Sequence, residues 1–338
     1  MSKITIKEVA KKARVSTATV SRVLNNNYPV SEEVKERVYD VIKELNYSPN
    51  AIARSLKNNK TNLIGFVVGD ISNPYFMKIA REIEDGMRPK GYNMIMAVTH
   101  EDPELEKKLL KVLFEKRVDS IVIAPSGDNS EQLKNLIDGG VKLIAIDRQI
   151  GDLNIDTVLE DNFSASYDLV ELLIKNGHER IAIINGRLNV TTGTERLRGF
   201  KASMKSSDIE IKDEYLLYAD FDSDKAYNEV KKLLSNDKIK RPTAIFATNN
   251  RMAEGAMIAI EELGYKIPED ISVVSYGDLS IGELVEPRLT VVKQDGRAIG
   301  RKVCNILLES TKEDNDENNF KEYILCPRIC IGESIKRI

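Results

Sequence analysis

The sequence has few residues of the types that build metal sites and disulfide frameworks. Its 338 residues include three cysteines and two histidines. The cysteines, at positions 304, 326 and 330, do not form an even set of disulfide partners, and no second Cys or His pair follows the pair at 326 and 330. We therefore expect half-buried strand cysteines, no metal site and no cofactor.

The sequence also has no long apolar run. No stretch approaches the roughly 18 to 20 uncharged apolar residues that span a bilayer. The first residues, 1–8, lack the apolar core of a secretory signal peptide. A hydrophobic share of 42% and a charged share of 30% are typical of a soluble globular protein. These features predict a cytoplasmic protein with no membrane partner.

Sequence motifs of common enzyme classes are missing as well. The chain has no Gly-x-x-x-x-Gly-Lys-Ser/Thr loop, no Gly-x-Gly-x-x-Gly loop and no Gly-x-Ser-x-Gly elbow. His178 lies in a predicted helix-to-strand turn, which favours a structural role for its ring. We therefore expect a protein that is not an enzyme.

Charge is distributed unevenly along the chain, although the net charge is only −3. Residues 1–60 contain twelve Lys and Arg against six Asp and Glu, a net of +6. The remainder contains 38 against 47, a net of −9. A basic first segment on an acidic body indicates one localised contact with phosphate groups, as in a nucleic-acid-binding protein.

The basic segment contains the pattern of three short capped helices. Thr5 and Glu8 form a capping box, Ser16 begins a second helix and Ser31 begins a third. Apolar residues follow each cap at helical spacing. Only about two residues separate the first helix from Ser16, which predicts a steep crossing angle and a helix-turn-helix. The alternative is a generic three-helix bundle with a solvated polar face.

The outward face of the second helix is short and polar, as entry into the DNA major groove requires. Residues 46–50 then break the helical pattern, and residues 51–57 form barely two further turns. So short a helix is marginal alone in water. Residues 58–62 are predicted to be a polar linker. The residues on the outward face of the second helix are Thr17, Ala18, Ser21, Arg22 and Asn25.

From residue 63 onward, short apolar runs alternate with amphipathic helices. This alternation predicts parallel sheets covered by helices on both faces, and the number of strands indicates two lobes. The predicted strands are 63–68, 93–98, 120–124, 142–146, 180–184, 244–247 and 271–275. The predicted helices are 74–90, 103–116, 165–175, 223–234 and 252–263.

Polar and aromatic residues follow the carboxyl ends of these strands, where parallel sheets bind ligands. Carboxylates, amides and arginines can bind several hydroxyl groups, and aromatic rings can stack on a sugar face. The alternatives are that Asp70 and Asn73 only cap a helix, that Asp147 and Arg148 form a local ion pair, and that Arg196 is exposed. The candidate ligand contacts are Asp70, Asn73, Tyr75, Phe76, Asp147, Arg148, Arg196, Asn249 and Asp278.

Residues 5–57 resemble the DNA-binding head of the LacI/GalR repressor family. The resemblance rests on the stretches 6–10, 15–25 and 45–56, whose order and spacing all hold. Arg14 departs from the glycine usual in the family's turn, at a cost of about 1 kcal/mol if its backbone is left-handed. The resemblance implies that Thr17, Ala18 and Arg22 read bases and that Ser16, Thr19, Ser21 and Asn25 lie near phosphates. It also implies that Leu56 is the apolar wedge of a hinge helix in the minor groove. Thr5 is included in the predicted DNA-binding set.

Residues 62 to about 331 resemble the effector domain of the same family, which is similar to periplasmic sugar-binding proteins. The matching stretches are 70–76, 147–148, 196–200, Asn249 and 289–294, the last ending in Gln294. Asn250 and Gly277 depart from the aspartates usual at these positions, so the carboxylate at 277 is either missing or moved to Asp278. The resemblance implies an α/β fold: a small all-α helix-turn-helix head and a two-lobed, periplasmic-binding-protein-like body with parallel sheets.

The predicted domains are a head over 1–48, a hinge helix and linker over 49–61, and a body over 62–338. The body divides into one lobe of about 62–161 and 293–324 and another of about 162–292 and 325–338. No leucine-heptad tail follows the body, so assembly beyond a dimer through such a tail is not expected.

Together these observations predict a transcriptional repressor whose affinity for operator DNA is switched by a small molecule. The predicted partners are double-stranded operator DNA, a second copy of the chain, and a sugar, sugar acid or sugar phosphate bound between the lobes. The alternatives are a sugar-modifying enzyme with an appended DNA-binding head and a transport-type sugar-binding protein.

Overall fold

The computed structural model describes residues 4–25, 28–47, 60–151, 153–279, 282–309 and 320–338. The chain divides into two compact units, Met1–Thr61 and Asn62–Ile338. The predicted wedge residue Leu56 and the whole of the predicted hinge helix, 51–57, lie outside the described residues. No helix within the described ranges is long and apolar enough to cross a membrane.

The first unit contains three α-helices: α1 (Ile6–Ala13), α2 (Thr17–Asn25) and α3 (Glu32–Glu44). The predicted capping box is present at α1, where the Thr5 amide donates to Glu8 Oε2 at 2.6 Å. At α2 the Thr19 amide donates to Ser16 Oγ at 3.1 Å. The buried side chains of the three helices form one small core: Val9, Ala10, Ala13, Val20, Val23, Val38 and Val41.

In the turn between α1 and α2, Arg14 stands where the family usually has glycine, and its backbone is left-handed. Arg14 has φ 56° and ψ 43°. The amide of Val15 donates to the carbonyl of Ala10 at 3.0 Å, which closes the end of α1. Arginine is accommodated here because its side chain is exposed, and only its backbone pays the conformational cost.

The second unit contains two six-stranded sheets. Sheet 1 has β1 (Leu63–Val68), β2 (Asn93–Val98), β3 (Ser120–Ile123), β4 (Lys142–Ile146), β5 (Asp156–Glu160) and β11 (Glu322–Leu325), in the order β11-β5-β4-β3-β1-β2. Sheet 2 has β6 (Ile181–Asn185), β7 (Leu216–Tyr218), β8 (Ala244–Ala247), β9 (Ser272–Tyr276), β10 (Thr290–Lys293) and β12 (Arg328–Cys330), in the order β12-β10-β9-β8-β6-β7. All neighbouring strands are parallel except β10 and β12.

Helices cover both faces of sheet 1, and we call this assembly lobe 1. One face packs against α4 (Pro74–Met87) and α11 (Gly296–Glu309), through residues such as Ile79 and Ile299. The other face packs against α5 (Pro103–Glu115) and α6 (Ser130–Asp138). The strands are apolar on both faces because both faces are buried.

Sheet 2 is covered in the same way, and we call this assembly lobe 2. Helices α7 (Asn162–Lys175) and α8 (Thr191–Ser206) pack on one face, and α9 (Ser223–Leu234) and α10 (Asn250–Glu262) pack on the other. A Cβ atom at Gly255 of α10 would lie 2.0 Å from the carbonyl oxygen of Ser223. The two helices on that face therefore approach as closely as they do because position 255 carries no side chain.

The α/β fold class is confirmed, and the chain passes between the sheets three times, after β5, after β10 and after β11. The sequence prediction missed several elements, namely β5, β7, β10, β11, β12, α6 and α11. It also extended α4 to residue 90, where the structure has a separate 3-10 turn, Arg88–Lys90. The prediction of half-buried strand cysteines is wrong: Cys304 is buried on α11, whereas Cys326 and Cys330 are exposed.

Candidate nucleic-acid interface and effector site

Helix α2 presents an exposed polar surface in the first unit. Ser16, Thr17, Ala18 and Arg22 are exposed, and Thr19 and Ser21 are partly exposed. The Arg22 guanidinium lies 5.3 Å from the centre of the Tyr28 ring. A guanidinium held over an aromatic ring keeps its donors available at the ring's edge, where they can reach a guanine. Asn25 is the last residue of α2.

Thr5, at the other predicted contact point, is fixed by the capping box. Its hydroxyl also lies 3.0 Å from Glu8 Oε2. The two hydrogen bonds from Thr5, the backbone one contributing most, hold the pKa of Glu8 below its usual value. The start of α1 is therefore held by hydrogen bonds within the chain.

In the second unit, Asp147 and Arg148 follow β4 and are both buried. Arg148 is 3% exposed and donates to the Glu101 carboxylate through Nη1 at 2.6 Å and Nη2 at 2.8 Å. Its Nη1 also donates to the carbonyl of Pro125 at 2.8 Å, and its Nε lies 3.5 Å from Asp147 Oδ2. The Asp147–Arg148 ion pair that was the alternative to ligand binding is present, but Glu101 makes the closer contact with Arg148. Sequence reasoning missed Glu101.

Arg196, on α8, is buried at 4% exposure, so the alternative that it is a surface residue does not hold. Its Nε donates to Asn162 Oδ1 at 2.7 Å, and its Nη1 donates to the carbonyl of Thr248 at 2.6 Å. Its guanidinium lies flat over the Tyr276 ring, 3.7 Å from the ring centre. These contacts join the starts of two helices to the ends of two strands.

Glu160, the last residue of β5, is a second buried carboxylate that sequence reasoning missed. It accepts from Gln294 Nε2 at 2.7 Å and from the Asp295 amide at 3.2 Å. Burial raises the pKa of Glu160 to about 7, against the opposing hydrogen bond from Gln294. Burial also raises the pKa of Asp147, with Arg148 and Arg196 opposing the rise. Sequence reasoning could have found Glu160 as a carboxylate at the end of a strand. The strand was not recognised, because residues 156–160 have only two strongly apolar residues between acidic ends.

Several buried polar atoms near these groups have no hydrogen-bond partner among the described residues. They include the hydroxyls of Tyr75 and Tyr276 and Nε of Arg148. Burial and then the Glu160 carboxylate raise the pKa of both tyrosines well above its usual value, so both hydroxyls keep their protons. Unpaired buried polar groups are costly, and they commonly mark a place where another molecule bonds.

Asn73 and Asn249 act partly as helix caps. Asn73 Oδ1 accepts from the Tyr75 amide at 3.1 Å, and Asn249 Oδ1 accepts from the Met252 amide at 2.8 Å. Asn250 Nδ2 donates to Asn73 Oδ1 at 3.4 Å, which is a contact between lobes. Asn73 therefore caps its helix, and the same amide also contacts lobe 2.

The remaining predicted contacts are placed as follows. Phe76 is buried in the core of lobe 1. Asp70 accepts from the Ser72 amide at 2.7 Å, and Asp278 Oδ2 lies 3.8 Å from Lys293 Nζ. A Cβ atom at Gly277, whose φ is +93°, would lie 3.1 Å from Gln294 Oε1. The residue that replaces the family's aspartate thus leaves room for Gln294 to reach Glu160.

Three further hydrogen bonds join the two lobes. Arg187 Nη1 donates to the carbonyl of Glu101 at 2.6 Å, and Asn189 Nδ2 donates to the carbonyl of Ser126 at 3.4 Å. The amide of Gln149 donates to Thr191 Oγ1 at 3.1 Å. The two lobes are therefore hydrogen-bonded to each other through these groups as well as through Asn73 and Asn250.

Within the described residues, no group of three or more His, Cys, Asp or Glu side chains is placed to hold a metal ion. His178 is buried in the turn before β6, between Thr243 Oγ1 and the carbonyl of Lys336, each 2.9 Å away. Its ring therefore joins the C-terminal residues, through Lys336, to lobe 2. The buried charges and hydroxyls between the lobes are thus suited to binding a polar molecule reversibly.

Two family models match this chain. Residues 5–50 match bacterial regulatory proteins of the lacI family, and residues 61–327 match the periplasmic binding proteins and sugar binding domain of the LacI family. The chain belongs to the LacI family. The second match covers more than half of the chain, so the assignment does not depend on the head alone.

Relatives of this LacI-family chain include two transcriptional repressors called PurR. The one from Aliivibrio fischeri (strain MJ11) is 37% identical over 320 residues, covering 94% of this chain and 95% of its own. The one from Haemophilus influenzae (strain PittEE) is 36% identical over 335 residues, covering 99% of each chain. The LacI-family chain is therefore a DNA-binding transcriptional repressor that responds to a ligand.

Solved structures show the same architecture. A Lac repressor dimer bound to operator and the anti-inducer ONPF is 26% identical, with a TM-score of 0.83 over 99% of this chain and 100% of that one. A LacI family regulator from Enterococcus faecium with bound ribose is 26% identical, with a TM-score of 0.71 over 82% of this chain and 99% of that one. A complex of the regulator CelR with cellobiose is 26% identical, with a TM-score of 0.73 over 98% and 99%.

Proposed function

We propose that the effector of this repressor is a neutral sugar of about monosaccharide size, bound between the lobes. The observation that carries the proposal is the balance of buried charge at the strand ends. The two guanidinium groups of Arg148 and Arg196 are offset by Asp147 and Glu101, even when Glu160 is protonated. A sugar acid or sugar phosphate would add an anion beside these carboxylates, at a high desolvation cost.

A neutral polyol suits the groups present. Each carboxylate oxygen accepts hydroxyl hydrogens, the tyrosine hydroxyls can donate or accept, and an aromatic ring can cover an apolar sugar face. In this proposal the sugar contacts Tyr75, Asp147, Arg148 and Arg196, with Asn73 and Asn249 at the margin. The ribose-bound and cellobiose-bound relatives support a sugar as the ligand class.

The test is a thermal-unfolding screen with chemically matched sets of ligands. Each set contains a neutral sugar, its aldonic acid and its phosphate ester, for example D-ribose, D-ribonate and D-ribose 5-phosphate. Binding to the folded protein raises its melting temperature by mass action. We expect stabilisation only by neutral members. Stabilisation by an acid or phosphate, with none by its neutral parent, would contradict the proposal.

We further propose that the sugar leaves the cleft unchanged, because the chain acts as a repressor and not as an enzyme. The rival is a sugar-modifying enzyme carrying a DNA-binding head. Incubation of each stabilising sugar with the protein, with and without ATP, followed by mass spectrometry, separates the two. We expect no new product; a product formed in proportion to protein concentration would support the rival.

We also propose that two copies of the chain bind one near-palindromic operator in the cytoplasm. A single head offers few base contacts, and a hinge helix as short as residues 51–57 gains stability by pairing with a second one. The Lac repressor dimer on its operator supports this assembly. The test compares binding to full and half operators selected from a random duplex pool. Equal affinity for both, with a monomer in sedimentation, would contradict it.

In this assembly we assign residues 1–48 to the head, 49–61 to the hinge helix and linker, and 62–338 to the body. One lobe comprises about 62–161 and 293–324, and the other about 162–292 and 325–338. The support is the chain's passage between the two sheets, which occurs near residues 160, 293 and 325.

A further inference from the structure

The Glu160 carboxylate lies where the chain first leaves lobe 1. Its own strand, β5, belongs to sheet 1, whereas its two hydrogen-bond donors, Gln294 and Asp295, directly follow β10 of sheet 2. One side chain thus joins two of the three segments that connect the lobes. Both oxygens are used, one for each donor.

The same position is connected to the buried effector groups. The backbone carbonyl of Glu160 accepts from Asn162 Nδ2 at 3.0 Å, and the same Asn162 accepts from Arg196 through Oδ1. Arg196 in turn donates to the end of β8 and covers the ring of Tyr276. A continuous set of contacts therefore runs from the crossover to the cleft.

We propose that Glu160 is a proton-linked positioning residue that couples closure of the two lobes to pH. The proposal rests on the proposed binding of an effector between the lobes, on which we expect the lobes to close, but it concerns the crossover and not the ligand. When the lobes are closed, the carboxylate is buried and is favoured in its neutral form. When they separate, water reaches the carboxylate and it ionises at its ordinary pKa.

Closure is therefore accompanied by uptake of a proton, and rising pH favours the open arrangement. The pKa of about 7 for Glu160 in this closed arrangement places the upper end of the change near neutral pH. Two charged groups act on the pKa of Glu160 in opposite directions: Asp147, after β4, raises it and Arg196, on α8, lowers it. The hydroxyls of Tyr75 on α4 and Tyr276 on β9 also interact with Glu160. Leu325 of β11 lies opposite it, and the Asp295 carboxylate accepts from the Ala298 amide at the start of α11.

The experiment measures the separation of the lobes without any effector, so its failure is distinct from failure of the proposed sugar. Spin labels are attached at Asp128→Cys and Leu188→Cys, two exposed positions that flank the contact between Ser126 and Asn189. The exposed Cys326 and Cys330 are replaced by serine, and labelled protein is diluted into unlabelled protein so that only labels within one chain interact. Dipolar broadening is then recorded from about pH 4 to about pH 8.5, which spans the ordinary and the raised pKa of Glu160.

We expect the labels to separate as pH rises above the ordinary value of 4.5, with the change complete near the pKa of about 7 for Glu160 in the closed arrangement. Glu160→Gln, which cannot ionise, is expected to abolish the change and keep the low-pH separation at every pH. Glu160→Asp is expected to restore a pH-dependent change. His100→Gln, at an exposed position outside these contacts, is the control substitution and is expected to leave the change intact.

A separation that does not change with pH in the parent protein would overturn the proposal. So would a change that persists in Glu160→Gln. A second measurement needs no substitution at Glu160: the amide proton shift of Asp295, which is bonded to the carboxylate, is expected to titrate over the same pH range. An Asp295 shift that is flat over this range would also overturn the proposal.

Discussion

At the scale of single residues, buried charge distinguishes groups that hold the fold from groups placed to meet a ligand. Arg148 has its two terminal nitrogens filled by Glu101 and Pro125, whereas its Nε has no hydrogen-bond partner among the described residues. Sequence reasoning found Arg148 from its place after a strand. It could not find Glu101, because that contact depends on the left-handed backbone at Glu101, which has φ 57°.

Substitution of Arg196 or Asp147 by alanine tests the proposed effector site. Each is expected to weaken sugar binding by about 1.5–3 kcal/mol, the cost of a lost hydrogen bond to a charged group. Operator binding is expected to remain, because both residues belong to the second unit. Calorimetric titration alongside operator binding measures both effects. Lys134→Ala, at an exposed position of α6, is the control and should change neither. Unchanged sugar affinity in both variants would place the site elsewhere.

Substitution of Arg22 by alanine tests base reading by α2. We expect a loss of about 1–3 kcal/mol on the selected operator and a relaxed preference at one base pair per half-site. Arg37→Ala, on α3, is the control for loss of one positive charge. The measurement is a binding titration on specific and random duplexes. An equal loss on both duplexes would show that Arg22 contacts only phosphate.

At the scale of helices and strands, the pattern of apolar residues predicted the elements that have long or fully apolar buried faces. The head helices and strands β1, β4 and β8 are of this kind. The prediction missed β5 because its two acids bracket a short run, and it missed β12 because its side chains are exposed or half-buried. These strands are held by pairing with neighbours that are distant in sequence, which local periodicity does not report.

The close approach of α9 and α10 gives a prediction about stability. Gly255→Ala would place a Cβ atom 2.0 Å from a backbone carbonyl oxygen, so the helices must separate. We expect a loss of about 1–3 kcal/mol in the free energy of unfolding, as for overpacked cores. Gly282→Ala is the control, since its nearest neighbour would lie at an ordinary 3.5 Å. Urea unfolding of both variants measures the difference; equal stabilities would contradict the prediction.

The predicted hinge helix lies outside the described residues, so its prediction rests on the family. Leu56→Ala is expected to reduce DNA bending and discrimination between operators, while phosphate contacts are retained. Bending is measured by the mobility of circularly permuted operator fragments, and phosphate contact by the salt dependence of binding. A variant that bends DNA like the parent protein would show that Leu56 is not the wedge.

At the scale of the whole molecule, Glu160 links stability to pH. Its pKa is raised from 4.5 in the unfolded chain to about 7 in the folded protein. The folded state therefore binds more protons between these values, and the contribution of Glu160 to stability is lost as pH rises through this window. Relative to Glu160→Gln, the parent protein is expected to lose unfolding free energy from about pH 4.5 to about pH 7 and to be level above it. Denaturant titrations at several pH values measure the unfolding free energy of both proteins. A parent protein that gains unfolding free energy relative to Glu160→Gln as pH rises would contradict the assigned direction.

The ion pair between Arg148 and Glu101 has a consequence for how the repressor behaves when the salt concentration in the cell changes. A neutral ligand entering a cleft whose charges are already paired exchanges no ions with the solvent. Binding of DNA by the basic head releases counterions and weakens steeply as salt rises. The intrinsic affinity for sugar is therefore expected to be nearly constant when a cell's ionic strength changes, whereas operator occupancy varies with it. Ionic strength would thus set how completely the operator is occupied, while the affinity of the DNA-free protein for the proposed sugar stays nearly constant.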